Sequence, residues 1–259
     1  MGATSRQVWL CVLAGCGRIG FDVTPSNDAN GDGPGTEDTP TVEASKCGAT
    51  NVVICDGFEG LMFDARWAVT GTGGTAALDT TRAYRGSSSA HFHTNPAPAG
   101  DPSAVLRTTE GLAGAITGTV YLRAWAYFAS PYPIPIFNQV LNVVNNMTTG
   151  VSMGTRDGFA RTNDYAFLQS RVSSTVMVPV DRWTCLQLQV PSNVEGATRV
   201  FVDGVEATDV ALMTPGGSPQ PAADHIYVGV DWITTMAVPA TDAWLDELIV
   251  DTQPTTCAQ

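Results

Sequence analysis

The residues best suited to chemistry in this chain fall in one stretch, Val120-Tyr-Leu-Arg-Ala-Trp-Ala-Tyr-Phe128. Side chains alternate across a β-sheet. If the stretch is a strand, Tyr121, Arg123, Trp125 and Tyr127 share one face, and Val120, Leu122, Ala124, Ala126 and Phe128 share the other. The first set is an aromatic and cationic row, suited to stacking on the C–H faces of sugar rings and to pairing a guanidinium with hydroxyls or a uronate. The second set has the makings of a core. Asn138, Gln139, Asn142, Asn145 and Asn146 follow in the next segment, with Gln169 and Arg171 beyond, and supply amide and guanidinium donors. The competing reading is a structural row covered by a loop such as Ser130-Pro-Tyr-Pro-Ile-Pro-Ile136.

A catalytic set is harder to find. Glycoside hydrolysis needs two carboxyl groups at a fixed separation, yet the glutamates, at positions 37, 43, 59, 110, 195, 206 and 247, are scattered singly. His91-Phe-His93 places two imidazoles on one strand face, and His225 is a third candidate zinc ligand, but a polar strand face explains the pair as well. No Gly-Xaa-Ser-Xaa-Gly elbow is present, and Gly71-Thr-Gly-Gly74 reads as a loop rather than a phosphate cradle.

The elements that must position these residues are short. From Cys47 onward, Gly, Pro, Ser, Thr and Asn recur every ten residues or so between β-branched and aromatic runs, and no long stretch has helical period. The expected strands are 51–54, 90–94, 119–128, 140–144, 164–172, 183–190, 199–202, 225–230 and 244–250, the pattern of an all-β sandwich. At 259 residues the chain suits one large domain with appendages. It has 13 Lys and Arg against 25 Asp and Glu, Lys46 being the only lysine, so a nucleic-acid backbone would meet net repulsion.

The N-terminal stretch carries a charge at Arg6, a short apolar run Val8–Ala14 and then Leu13-Ala14-Gly15-Cys16, which resembles a bacterial lipobox. That resemblance implies a signal segment 1–15, cleavage before Cys16, lipidation of its thiol, and an outer-membrane or cell-surface address held by lipid alone. Residues 16–46 are rich in Asp, Gly, Pro and Thr and are expected to be a disordered linker. Within it, Asp28-Ala-Asn-Gly-Asp-Gly33 opens like a calcium loop, but Thr39 stands where the closing Glu belongs. With Cys11 removed and Cys16 lipidated, Cys47, Cys55, Cys185 and Cys257 remain, an even number that favours two disulfides with three possible pairings. Cys47 with Cys55 could close a hairpin-like stretch, leaving Cys185 to pin the tail at Cys257.

Both ends of the 47–259 region carry a resemblance. Asp56, Phe58, Glu59, Gly60, Asp64 and Trp67 at the start, and Leu245-Asp-Glu-Leu-Ile-Val250 at the end, resemble the opening and closing strands of concanavalin A-like jelly rolls. So do Ala83-Tyr-Arg-Gly-Ser-Ser-Ser-Ala-His91 and the pair Trp183–Val190 and Arg199–Val205. The resemblance implies a two-sheet antiparallel sandwich whose end strands pair. It also implies Glu59 and Asp246 as candidate ligands of a structural Ca²⁺, with capping of backbone N–H groups as the other role open to them. Gln139-Val-Leu141 falls where jelly-roll alginate lyases carry Gln-Ile/Val-His: the Gln is matched and the His is replaced by Leu141. Their Tyr-Xaa-Lys-Xaa-Gly segment has no counterpart, and Tyr165, His91, His93 and His225 are nominal candidates for a base. The expectation is a lipid-anchored module that binds glycan through Tyr121, Arg123, Trp125, Tyr127, Asn142, Gln169 and Arg171 without cleaving it. A divergent lyase or hydrolase and a structural or adhesive surface module are the alternatives.

Overall fold

The computed structural model describes residues 52–112, 116, 118–132, 136–145 and 149–257. The expected signal segment 1–15, Cys16, the linker 16–46 and Cys47 lie outside the described residues. Among those residues one 3₁₀ turn, Thr208–Val210, interrupts an otherwise all-β chain.

The strands in chain order are β1 (Val52–Asp56), β2 (Trp67–Thr70), β3 (Gly74–Asp79), β4 (Ser89–Thr94), β5 (Ser103–Thr108), β6 (Gly118–Phe128), β7 (Phe137–Asn145) and β8 (Thr149–Arg156). They continue with β9 (Phe159–Asp164), β10 (Gln169–Met177), β11 (Trp183–Ser192), β12 (Ala197–Val202), β13 (Val205–Glu206), β14 (Leu212–Met213), β15 (His225–Ile233) and β16 (Thr241–Asp251). One sheet has nine strands in the order β13-β12-β11-β6-β16-β4-β3, with β1 added on β16 and β14 on β12. The other has seven, in the order β10-β9-β8-β7-β15-β5-β2. All the pairings are antiparallel, and the architecture is the expected jelly-roll sandwich. Among the described residues no helix is long and apolar enough to cross a membrane.

The core lies between the sheets and follows the alternation. Val120, Leu122, Ala124, Ala126 and Phe128 of β6 are fully buried, and Leu141, Met153, Val228, Val230 and Trp232 meet them from the seven-stranded sheet. Each large apolar side chain so buried contributes roughly 1.5–3 kcal/mol. The ends of the domain meet as expected: β1 pairs with β16 from Asp56 opposite Leu248 to Val52 opposite Asp251.

The segment 164–172 differs from the single strand expected. Asp164 Oδ1 accepts hydrogen bonds from the N–H groups of Ala166 and Phe167, and Leu168 takes a positive φ of 53°. An Asx-type turn therefore folds β9 back onto β10, because a carboxylate beside free N–H groups offers the backbone an alternative to the ladder.

Candidate functional site

The row Tyr121, Arg123, Trp125 and Tyr127 lies on the outer side of β6, and protein already occupies most of it. Tyr84 stacks on Trp125 with centroids 3.8 Å apart and planes 11° from parallel. The Arg82 guanidinium sits 3.7 Å above the Tyr127 ring and 4.5 Å from that of Trp244. Arg123 is only 2% exposed, donates to the Thr256 carbonyl at 3.0 Å and lies 3.9 Å from Glu247. The cover is thus the segment Arg82–Arg85, together with the C-terminal tail. Tyr132 of the proposed covering loop instead faces the core, against Phe128.

Glu59 and Asp246 hold that cover in place. Asp246 Oδ2 accepts from the N–H groups of Tyr84 (2.8 Å) and Arg85 (3.0 Å), and its Oδ1 from that of Glu247 (2.7 Å). Glu59 accepts from the N–H and hydroxyl of Ser87 at 2.9 and 2.7 Å. Both candidate calcium ligands therefore cap backbone N–H groups of one loop. Burial pushes Asp246 up to about 7 despite these donors, and the neighbouring Glu247 adds to the rise.

The remaining expected residues are dispersed. Gln169 and Arg171 lie on the edge strand β10 and donate to the carbonyls of Met213 and Ala211. His91 and His93 both contact Asp242 Oδ1, at 2.8 and 2.9 Å, while His225 pairs with Asp224. Cys185 is bonded to Cys257, and Cys55 is also disulfide-bonded. Asn142 alone of the expected glycan contacts lies on the outer face of the seven-stranded sheet.

That face carries a polar floor which the strand register assembles in two rows. Along the first, Arg107 is opposite Tyr227, Tyr227 opposite Asn142, Asn142 opposite Ser152 and Ser152 opposite Asn163. Along the second, Ser103 is opposite Asp231, Asp231 opposite Gln139, Gln139 opposite Gly154 and Gly154 opposite Arg161. A bulge in β7 between Gln139 and Leu141 against β8, matched by one in β15 between Val228 and Asp231 against β7, keeps both rows facing outward. Gly154 is required here, since a Cβ would overlap the Asn138 carbonyl.

Tyr165 reaches over the floor from the turn after β9. Gln139 Nε2 donates to its hydroxyl at 2.5 Å. Burial raises the Tyr165 phenol above its usual range, and Asp231 adds to that, so it remains a proton donor. Asp231 is pushed up to about 6, first by burial and then by the charge of Asp101. Arg161 is held below the ordinary guanidinium range by burial and by Arg156, and these two arginines line a cavity of about 270 Å³ with Ile233 and Met236 at the end of the floor. Titratable groups displaced from their usual values and gathered in one place mark functional sites. Of this set the sequence reading had singled out Gln139, Asn142 and Tyr165. It missed Arg107, Arg161, Tyr227 and Asp231, although the period-two run Tyr227-Val-Gly-Val-Asp231 carries that signal for two of them.

No family model matches the chain, and no curated protein does. Solved structures share its fold. Cellulose induced protein Cip1 has 18% sequence identity and a TM-score of 0.63, covering 79% of this chain and 100% of its own. An endo-β-1,4-glucuronan lyase from the fungus Trichoderma reesei has 10% identity and a TM-score of 0.50, over 79% of this chain and 92% of its own. The binding domain of botulinum neurotoxin DC, solved in complex with rat synaptotagmin II, has 10% identity and a TM-score of 0.53, over 80% of this chain and 49% of its own. These are jelly-roll sandwiches of the concanavalin A-like type, as this chain is.

Proposed function

We propose that the protein binds a polysaccharide containing acidic sugars along the outer face of the seven-stranded sheet, displayed from a lipid anchor at Cys16. The observation that carries this reading is the floor itself. Amides, hydroxyls, aromatic edges and guanidinium groups from six residues, Gln139, Asn142, Asn163, Tyr165, Arg107 and Arg161, line one face of adjoining strands. Amides and phenols suit sugar hydroxyls, and a guanidinium at either end of the floor, Arg107 on β5 and Arg161 on β9, suits a carboxylate. The neighbours in the fold support a carbohydrate ligand at this coarse level, one being named for induction by cellulose and another for cleavage of glucuronan.

A second reading is favoured by the contact between Gln139 and Tyr165. Removing a proton beside a uronate carboxylate requires a group that neutralises the carboxylate, a base, and an acid for the leaving oxygen. Gln139 would meet the carboxylate, the Asp231 carboxylate would accept the proton at neutral pH, and the protonated Tyr165 phenol would donate to the leaving oxygen. The C4–O bond would break as the C4=C5 bond forms.

Titration calorimetry with oligoglucuronate and with neutral oligosaccharides, while following ultraviolet absorbance for unsaturated ends, tests both readings. Binding of the acidic ligand that is weakened in Arg161→Ala and Gln139→Ala supports the first. Unsaturated product that disappears in Tyr165→Phe supports the second. If neither variant changes affinity for the acidic ligand, the floor is not the site.

A further inference from the structure

The nine-stranded sheet carries a cavity that the acidic-glycan reading does not use. It encloses about 470 Å³ and is lined by Tyr121, Gln187, Gln189, Phe201 and Asp203, with the tail 254–257 as its roof. Tyr121 is opposite Gln189 across β6 and β11, and Gln187 is opposite Phe201 across β11 and β12, so the register alone sets two aromatic rings around two amides. The roof is fixed at three points. Gln187 Nε2 donates to the Thr255 carbonyl at 2.6 Å, Arg123 donates to that of Thr256 at 3.0 Å, and Cys257 is bonded to Cys185.

We propose that this cavity is a second carbohydrate site, selective for neutral sugar units and dependent on the Cys185–Cys257 disulfide. Its volume lies within the range of small-ligand pockets, about 300–1,000 Å³. Its lining contains no Arg or Lys, and its one carboxylate, Asp203, is already engaged by Arg182 at 2.6 Å and by the Cys185 N–H at 2.9 Å. Nothing there attracts an anion, and the chain as a whole carries a formal charge of −12. The Tyr121 and Phe201 rings offer faces for sugar C–H groups. Among the described residues the Tyr121 hydroxyl and the Gln189 amide have no protein hydrogen bond, which leaves them for sugar hydroxyls. Two sites on opposite sheets would let one molecule bridge an acidic and a neutral chain.

The test is calorimetry on the full chain with cellohexaose and xylohexaose as neutral probes and oligoglucuronate as the acidic one. Tyr121→Ala should weaken binding of a neutral probe about tenfold, the order of one lost aromatic contact, while leaving the acidic probe unchanged. Gln189→Ala, on the sheet surface, should weaken the neutral probe with no change in unfolding midpoint. Reducing the Cys185–Cys257 disulfide should also weaken the neutral probe, by releasing the roof, and should lower the unfolding midpoint. The proposal is overturned if the wild type binds neither neutral probe, if both variants bind them as the wild type does, or if reduction has no effect. Loss of acidic binding alone would overturn the floor reading and leave this one standing.

Discussion

Replacing Asp231 by Asn should stabilise the protein at alkaline pH and have no effect at acid pH. Burial and the charge of Asp101 push the Asp231 carboxyl from 3.8 up to about 6. Its folded pKa is therefore above its unfolded one, so between pH of about 4 and about 6 the folded protein holds a proton that the unfolded chain has released. As pH rises through that window the folded state loses stability, and above it the cost is complete and constant. A shift of about two units at ~1.4 kcal/mol each amounts to ~3 kcal/mol. Asparagine has nearly the same shape and carries no charge, so Asp231→Asn should exceed the wild type by up to ~3 kcal/mol at pH of about 8, with the gap closing towards pH of about 4. Urea unfolding of both proteins across that range measures it. A gap that is constant with pH, or a variant less stable than wild type at alkaline pH, would refute the reasoning. Because Asp231 adjoins the Gln139–Tyr165 pair, the wild type should also bind oligoglucuronate more tightly as pH falls through about 6.

Trp125→Ala should lower stability by about 2 kcal/mol through loss of the Tyr84 stack, and leave acidic-glycan affinity unchanged; a selective loss of that affinity would return the site to β6. Opening the Cys185–Cys257 bond by Cys257→Ser releases a loop with a sequence separation of 72 and should cost about 4 kcal/mol in thermal unfolding. Gly154→Ala forces a Cβ onto the Asn138 carbonyl, so it should destabilise by several kcal/mol and disturb the chemical shifts of Gln139 and Asn163; a shift pattern like that of the wild type would show that the strands can give way.

Much of the architecture was legible in local pattern. The alternation from Val120 to Phe128 marked which residues enter the core, since the pleat sends successive side chains to opposite faces whatever the strand pairs with. The end motifs identified β1 and β16, and their pairing is observed. The site was much less legible. Alternation says that Tyr121, Arg123, Trp125 and Tyr127 share a face, but not that Tyr84, Arg82 and the tail lie on it; those contacts come from segments distant in the chain. Likewise Gln139 and Asn142 were visible as polar residues in a strand, whereas Arg107, Asp231 and Arg161 became their neighbours only through the pairing of β5, β15, β7, β8 and β9. By itself the sequence determined the secondary-structure class, the inward face of each strand and the acidic balance, which depend on residues near one another in the chain. Only the tertiary structure decided which outward face is covered and which gathers a site. Cross-strand neighbours are set by register, and register exists only once both partners are in place.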